Sequence, residues 1–404
     1  MRRRALLAVC IAAAMPAARA QTFEVRGFLE ARANAPADER SWRDGGLGKT
    51  RFGDGNDAFG GNGALAVNWQ ATPAWLVSAS AQVVPDMRHE ADVLDAWVRY
   101  RPVSTTPWRW SFTAGMFFPP VSLENDGVGW TSPWTITPSA VNSWVGEELR
   151  VFGGELRVER RDDQGTWDLR AAVFGRNDPA GELLASRGWA MGDLTSGFDA
   201  SVRQPDVYAG MVYAPTPMWF KPFAEIDDRV GGYIVLGRES GDDRARVLYY
   251  DNRTDPSQEI DYAGRDLYGW HTRFWSAGVQ RRVGDWTLLG QAMTGTTRIA
   301  PAPDMVLDSD FNAGYVLAAR EYGAWTPVLR VDLFQLAQSA NGAPGFLGEH
   351  GNAVTAALNW RPSERVRVIG EALRIDSTRD QRTLEGLAPR QVDVQVQVAV
   401  RVYF

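Results

Sequence analysis

The chain has 404 residues, 43 Lys and Arg against 49 Asp and Glu, a net charge of −6, one cysteine, and 17 Trp, 17 Phe, 11 Tyr and 40 Gly. The acidic balance argues against a nucleic-acid partner, which requires a basic footprint, and a lone cysteine excludes a disulfide framework or a cysteine-built metal site. Beyond the first twenty residues no stretch approaches the roughly 20 apolar residues of a membrane-spanning helix, yet so many aromatics and glycines in a polar chain are unlike an ordinary soluble enzyme.

At the start, Met1-Arg2-Arg3-Arg4, the apolar run from Ala5 to Met15 and the triplet Ala18-Arg19-Ala20 read as a secretory signal peptide over residues 1–20. Export through the periplasm follows, with a mature chain from Gln21. Losing the four signal arginines takes the charge from −6 to −10, and Cys10 leaves with them.

From residue 22 the chain alternates. Glu24, Arg26, Glu30 and Arg32 oppose Phe23, Val25 and Leu29, the two-residue period of a strand with one polar and one apolar face. Comparable runs predict strands near 22–34, 59–70, 74–86, 91–101, 108–118, 147–160, 165–175, 206–215, 218–226, 230–238, 243–252, 267–282, 285–296, 311–322, 325–337, 351–361, 364–375 and 391–404. Over 148–159 the phase holds only with one extra residue, which the pair Gly153-Gly154 supplies as a β-bulge. Tight turns fall at 70–73, 102–107, 161–165, 214–217, 283–285, 322–324 and 361–364. Aromatics flank them: Trp69 and Trp75, Tyr100 and Trp108, Tyr213 and Trp219, then Trp286, Trp325 and Trp360. Rings repeated at turn edges mark a membrane interface. Long connections are expected at 35–58, 119–146, 177–205, 254–266, 299–310, 338–350 and 377–390. The chain closes on QVDVQVQVAVRVYF, with valines on one face and Gln, Asp and Arg on the other.

The fold class is therefore all-β: a transmembrane antiparallel β-barrel of 16–18 strands over residues 21–404, with long extracellular loops, short periplasmic turns and both chain ends on the short-turn side. The lower count applies if 230–238 and 243–252 belong to a surface loop. A barrel of this size encloses water and sits in the outer membrane among its lipids. The null alternative, a soluble sandwich, does not require aromatics at turn edges.

Catalytic and metal sites are not expected, nor a cofactor. His89, His271 and His350 lack ligand spacing, the Asp/Gly-rich stretch 52–57 lacks the distal Glu of a calcium loop, and His271, alternating with Arg273, reads as a lumen-wall residue. The informative segment is 119–146. Its Trp130, Trp134 and Trp144 are too apolar to sit loose in water, so the segment is expected to fold inward as a constriction. There Glu124 and Asp126 would face wall arginines such as Arg99, Arg150, Arg157 and Arg170 across a transverse field. Further lumen residues read from the alternation are Arg26, Glu30, Asp95, Lys221, Glu225, Arg330, Arg365 and Arg367. The alternative is a loop folded outward as a lid or as an oligomer contact.

The stretch Gly115-Met116-Phe117-Phe118-Pro119-Pro120-Val121-Ser122-Leu123-Glu124 is similar to the G-x-F-x-x-P-F-S-L-E pattern of the phosphate- and polyphosphate-selective porins of Gram-negative outer membranes. The resemblance implies a channel of about 16 strands, assembled as a homotrimer; it does not carry that family's choice of anions such as phosphate across to this chain. The chain departs from the pattern in having lysine only at Lys49 and Lys221. Phe404 resembles the terminal aromatic that outer-membrane barrels present to their assembly machinery. The expected function is passive diffusion of small hydrophilic solutes or ions. The alternatives are a non-transport adhesin or structural barrel with a plugged lumen, or a membrane-embedded hydrolase with a serine beside His271.

Overall fold

A computed structural model describes residues 22–54, 58–208 and 217–404; the expected signal peptide lies outside them. Alternating sequence becomes strand because each run has one face for lipid and one for the interior. The barrel strands are β1 (Thr22–Ala35), β2 (Phe59–Thr72), β3 (Trp75–Val83), β4 (Ala91–Tyr100), β5 (Trp108–Phe117), β6 (Val151–Asp162), β7 (Gly165–Gly175) and β8 (Gly231–Ser240). They continue as β9 (Asp243–Asp251), β10 (His271–Val283), β11 (Trp286–Ala302), β12 (Met305–Arg320), β13 (Trp325–Ala340), β14 (Ala343–Ser363), β15 (Val366–Arg379) and β16 (Arg390–Tyr403). Each pairs antiparallel with its neighbours and β16 returns to β1, so the described barrel is closed with sixteen strands.

The closing ladder runs from Phe28 opposite Tyr403 to Ala35 opposite Val396. On β16, Val392, Val394, Val396, Val398, Val400 and Val402 are exposed to the outside, while Asp393, Gln395, Gln397 and Arg401 point inward and are buried. Past the strand, Phe404 exchanges backbone hydrogen bonds with Gly27. Its ring occupies the space where a Gly27 side chain would stand: a Cβ there would lie 2.5 Å from Phe404 Cζ. Aromatic pairs mark the periplasmic rim, with Trp75 against Tyr100 at 4.8 Å and Trp325 stacked on Trp360 at 5.5 Å.

The pair held least firmly, 230–238 and 243–252, forms β8 and β9 of the wall as the alternation predicts. Four other expectations are corrected. Of the expected strand 206–215, residues 209–216 lie outside the described residues and Asp206–Tyr208 is a 3-10 turn. Of 218–226, only Trp219–Phe220 is extended, paired with Val202–Arg203 away from the barrel. Pro222 denies 218–226 a ladder donor that a wall strand needs. No bulge occurs at Gly153-Gly154, whose pairing with Ala114 and Gly115 is continuous; Arg150 lies before β6 and never needed to match its phase. The expected long loops 299–310 and 338–350 are instead tight hairpins at 303–304 and 341–342, because β11 to β14 carry their ladders well beyond the lipid.

One ladder is short. β5 leaves the wall after Phe117, so β4 and β5 share only five register pairs, from Ala96–Met116 to Tyr100–Phe112. Above them the free edge of β4 is covered by the connection 176–230, where Phe198 N–H donates to Val93 O at 2.8 Å.

Candidate functional site

After Phe117 the chain turns into the lumen and follows the wall. Arg246 on β9 donates to the carbonyls of Pro120 and Ser122 at 3.0 and 3.2 Å, and Arg244 to that of Leu123 at 3.3 Å. Arg367 on β15 donates to Pro133 O at 2.7 Å, and Asn359 on β14 to Trp134 O at 2.9 Å. Glu371 accepts from the N–H groups of Ile136 and Thr137, at 2.6 and 3.2 Å. These irregular backbone groups find wall side chains, which is what allows a non-regular segment inside a barrel.

The sweep ends in helix α1 (Ala140–Glu148). Ser139 caps it by accepting from Asn142 N–H at 3.3 Å, and every residue of the helix is buried. Trp144 packs edge-on to Phe274 at 5.6 Å and beside Phe311 at 5.4 Å. Trp134 joins the apolar cluster of Leu289, Leu317 and Val328, and Trp130 lies flat on Phe118 with ring centres 3.9 Å apart. The three tryptophans that pointed to an inward fold thus each find an apolar partner.

The two loop acids do different work. Glu124 is fully buried: it accepts from Arg330 at 2.8 Å, and Arg330 also takes Asp332 at 2.8 Å and the carbonyls of Thr137 and Pro138. Its charge is spent fixing the loop to β13 and does not face Arg99, Arg150, Arg157 or Arg170. Asp126 keeps half its surface and pairs with Arg244 at 3.1 Å. Arg150 is not a wall residue. It is buried beneath Phe118, its guanidinium 3.2 Å from the ring centre, and donates to the carbonyls of Leu149 and Ser196 at 2.9 and 2.6 Å. Burial without a paired carboxylate pulls it down to about 9.

The remaining expected wall residues divide by position. Glu30, Arg330 and Arg367 point inward but lie buried under the loops, whereas Arg26 is exposed near the periplasmic end of β1 beside Glu24, at 3.2 Å. Asp95 faces inward and accepts from Ser80. Lys221 and Glu225 sit in the connection 176–230, because the strand expected to carry them does not form; Lys221 pairs with Asp199 at 3.0 Å. Arg365 is in the turn between β14 and β15. His271 and Arg273 face outward, and His271 contacts Asp251 at 3.0 Å.

Two further connections fill the interior. Segment 36–54 buries Trp42, Leu47, Lys49, Arg51 and Phe52, and the connection 176–230 buries helix α2 (Glu182–Arg187) and Trp189. A run of alternating charges ties them to the wall. Asp86 pairs with Arg51 at 2.6 Å, Arg51 with Asp193 at 2.9 Å, Asp193 with Arg32 at 3.1 Å, Arg32 with Glu30 at 2.9 Å, and Glu30 with Arg401 at 2.5 Å. Burial alone would raise Asp193, but Arg32 and Arg51 hold it well below the usual carboxylate range. Lys49 shares Glu349 with Arg379, and burial pulls Lys49 down to about 7.

The walls of β10 to β16 are covered, and the inward Tyr233, Val235, Leu248 and Tyr250 of β8 and β9 are buried. Apart from those at the periplasmic ends and from Arg244 and Arg246, which hold segment 119–146, the inward arginines that keep some surface form a strip on β4 to β7. Arg157 and Arg170 keep 21% and 14% of their side-chain surface, while Glu159 and Asp168, with which they pair, keep 6% and 2%. Arg99 lies over Trp97 at 5.6 Å, with no carboxylate paired to it among the described residues. The alternation had marked Arg99, Arg157 and Arg170; it passed over Arg244 and Arg246, because β9 had been doubted as a strand. Outside this strip, Asp178, Glu225 and Asp227 bring carboxylate oxygens within 4.8 Å of one another. Burial and the two neighbouring acids push Asp178 up to about 7.

Closed antiparallel walls, a valine-rich outer face and aromatic rims define an outer-membrane β-barrel. Solved structures with the same fold agree in class. The trimer form of OmpT, an outer membrane protein of Vibrio cholerae, matches at TM-score 0.52 and 11% identity, covering 96% of this chain and 100% of that one. An anion-selective porin from Comamonas acidovorans matches at 0.52 and 11%, over 95% and 100%, and the outer membrane channel DcaP of Acinetobacter baumannii at 0.52 and 12%, over 95% and 97%. No family model matches the chain, and no curated protein matches its sequence.

Proposed function

We propose that the chain is a passive porin: a water-filled path across the outer membrane for small hydrophilic solutes, with a preference for anions and no chemistry of its own. The observation that carries this reading is on β6 and β7, where Arg157 and Arg170 keep more surface than the carboxylates paired with them. A wall whose water-facing charge is positive raises the local anion concentration. The porin and channel among the structures of like fold support the transport role, and phosphate is one anion to try in the test. A homotrimer, export by residues 1–20 and recognition of Phe404 by assembly machinery complete the proposal.

Purified protein in planar bilayers tests it. Discrete conductance steps are expected, with a reversal potential of anionic sign in a salt gradient. Arg99→Glu together with Arg157→Glu should move that potential toward cation preference; steps with no change in sign would remove the arginine strip from the account. A plugged, non-transport barrel is the second reading, favoured by the three connections that fill the lumen against β1 and β10 to β16, and an absence of steps would decide for it.

A further inference from the structure

On the opposite side of the barrel from Arg157 and Arg170, a cavity of about 660 Å³ lies between segment 127–133 and the periplasmic hairpin of β14 and β15. Its size is within the roughly 300–1,000 Å³ usual for small-molecule sites. Gly127, Arg361, Ser363 and Glu364 are exposed around it, so it opens to the periplasm, while Arg367 closes it from behind and is only 2% exposed. Val128 and Pro133 of the inward segment, with Val366 of the hairpin, supply its apolar surface.

Three arginines meet here. Arg367 stands directly opposite Arg401 in the ladder of β15 and β16, and Arg361 lines the cavity beside Arg367. A guanidinium taken out of water needs a compensating acid. Arg401 has one, since it pairs with Glu30 at 2.5 Å. Arg367 has none: it donates to Asn359 Oδ1 at 2.9 Å, to Pro133 O at 2.7 Å and to Ser132 O at 3.4 Å, all neutral acceptors. The Tyr403 hydroxyl also accepts from Arg367, and so keeps its own proton to donate into the cavity that it lines. Glu364 is the one acid in the lining among the described residues, and neither it nor Arg361 has an ion pair there. Two positive charges and a hydroxyl donor are thus left without an anion, beside apolar surface.

We propose that this cavity is a site, entered from the periplasm, for a small organic monocarboxylate: its carboxylate between the Arg361 guanidinium and the Tyr403 hydroxyl, with the charge of Arg367 behind, and its carbon body against Val128, Pro133 and Val366. A guanidinium fork matches a carboxylate in shape as well as in charge, and an inorganic ion would leave the apolar surface uncovered. The site rests on the barrel and not on conduction through it.

Isothermal titration calorimetry of the folded barrel in mild detergent with benzoate, neutral benzamide and inorganic phosphate tests it. Benzoate should bind at least about tenfold more tightly than either of the others. Arg361→Gln and Tyr403→Phe should each weaken benzoate about tenfold, as loss of a hydrogen bond to a charged group does. Arg365→Gln makes the same change of charge in the same hairpin at a residue that does not line the cavity, and should leave binding within about twofold. Heat-modifiable electrophoretic mobility reports folding of each variant. Equal losses in Arg361→Gln and Arg365→Gln would reduce the effect to general attraction by the rim and overturn the site. So would undiminished binding in both Arg361→Gln and Tyr403→Phe, benzamide or phosphate binding as tightly as benzoate, or no binding at all. A barrel that binds benzoate but gives no conductance steps keeps the site and loses only the porin reading.

Discussion

Glu124 and Asp126 stand two residues apart and look alike in sequence, yet one is locked to Arg330 and the other reaches water. Removing one partner of a buried pair leaves the other charge unpaired, at a cost of about 3–5 kcal/mol. Glu124→Leu is therefore expected to release the segment 119–146 from β13, seen as a larger and noisier single-channel conductance. Glu124→Gln keeps an acceptor for Arg330 and should change it little. Gly27 makes a second residue-scale test. Its missing side chain admits the Phe404 ring, and a Cβ would also lie 2.8 Å from Ala64 O. Gly27→Ala should lower the barrel's thermal transition, and Phe404→Ala should recover part of that loss, with the remainder due to the backbone contact. Neither contact was legible, because alternation reports which way a side chain points and not what meets it there.

The strands themselves were legible, since valine alternating with Gln, Asp and Arg from 391 to 403 leaves one choice of face. The stretch 218–226 misled because Trp219 beside a proline-rich stretch has the composition of a strand leaving a turn, and composition does not state whether that strand joins the wall. The inner connections could be read only as far as their tryptophans required. Packing of α1 on α2 carries a pH dependence of definite sign. Glu148 is pushed up to about 7 from 4.5 by burial, although it accepts from Leu183 N–H and from Trp144. A folded value above the unfolded one gives stability that is complete below about pH 4.5 and lost as pH rises to about 7. Exchange protection of the Leu183 and Leu184 amides should accordingly fall between about pH 4.5 and about pH 7, and Glu148→Gln should remove the fall.

For the whole molecule, the charge run from Asp86 to Arg401 joins three extracellular connections to the first and last strands. Asp193, held far below its ordinary value, contributes stability that is lost only as pH falls through that lowered value, and Glu148 is neutral in acid. The interior segments should therefore remain docked at about pH 4, with conductance close to that at neutrality, whereas replacing Asp193 by Asn should loosen them at every pH. The five-pair ladder between β4 and β5 bears on where the chain can be cut. Gly27 and Phe404 lie side by side, so in a chain begun at Thr22 a short linker can join Phe404 to the start of β1 and new ends can be opened in any periplasmic turn. A circular permutant opened at 163–164 would have to close through the eleven pairs of β6 and β7. One opened at 101–107 would have to close through five and should fail to assemble. In this barrel the order of the strands in the gene places the thinnest seam inside a hairpin, where the turn holds it shut.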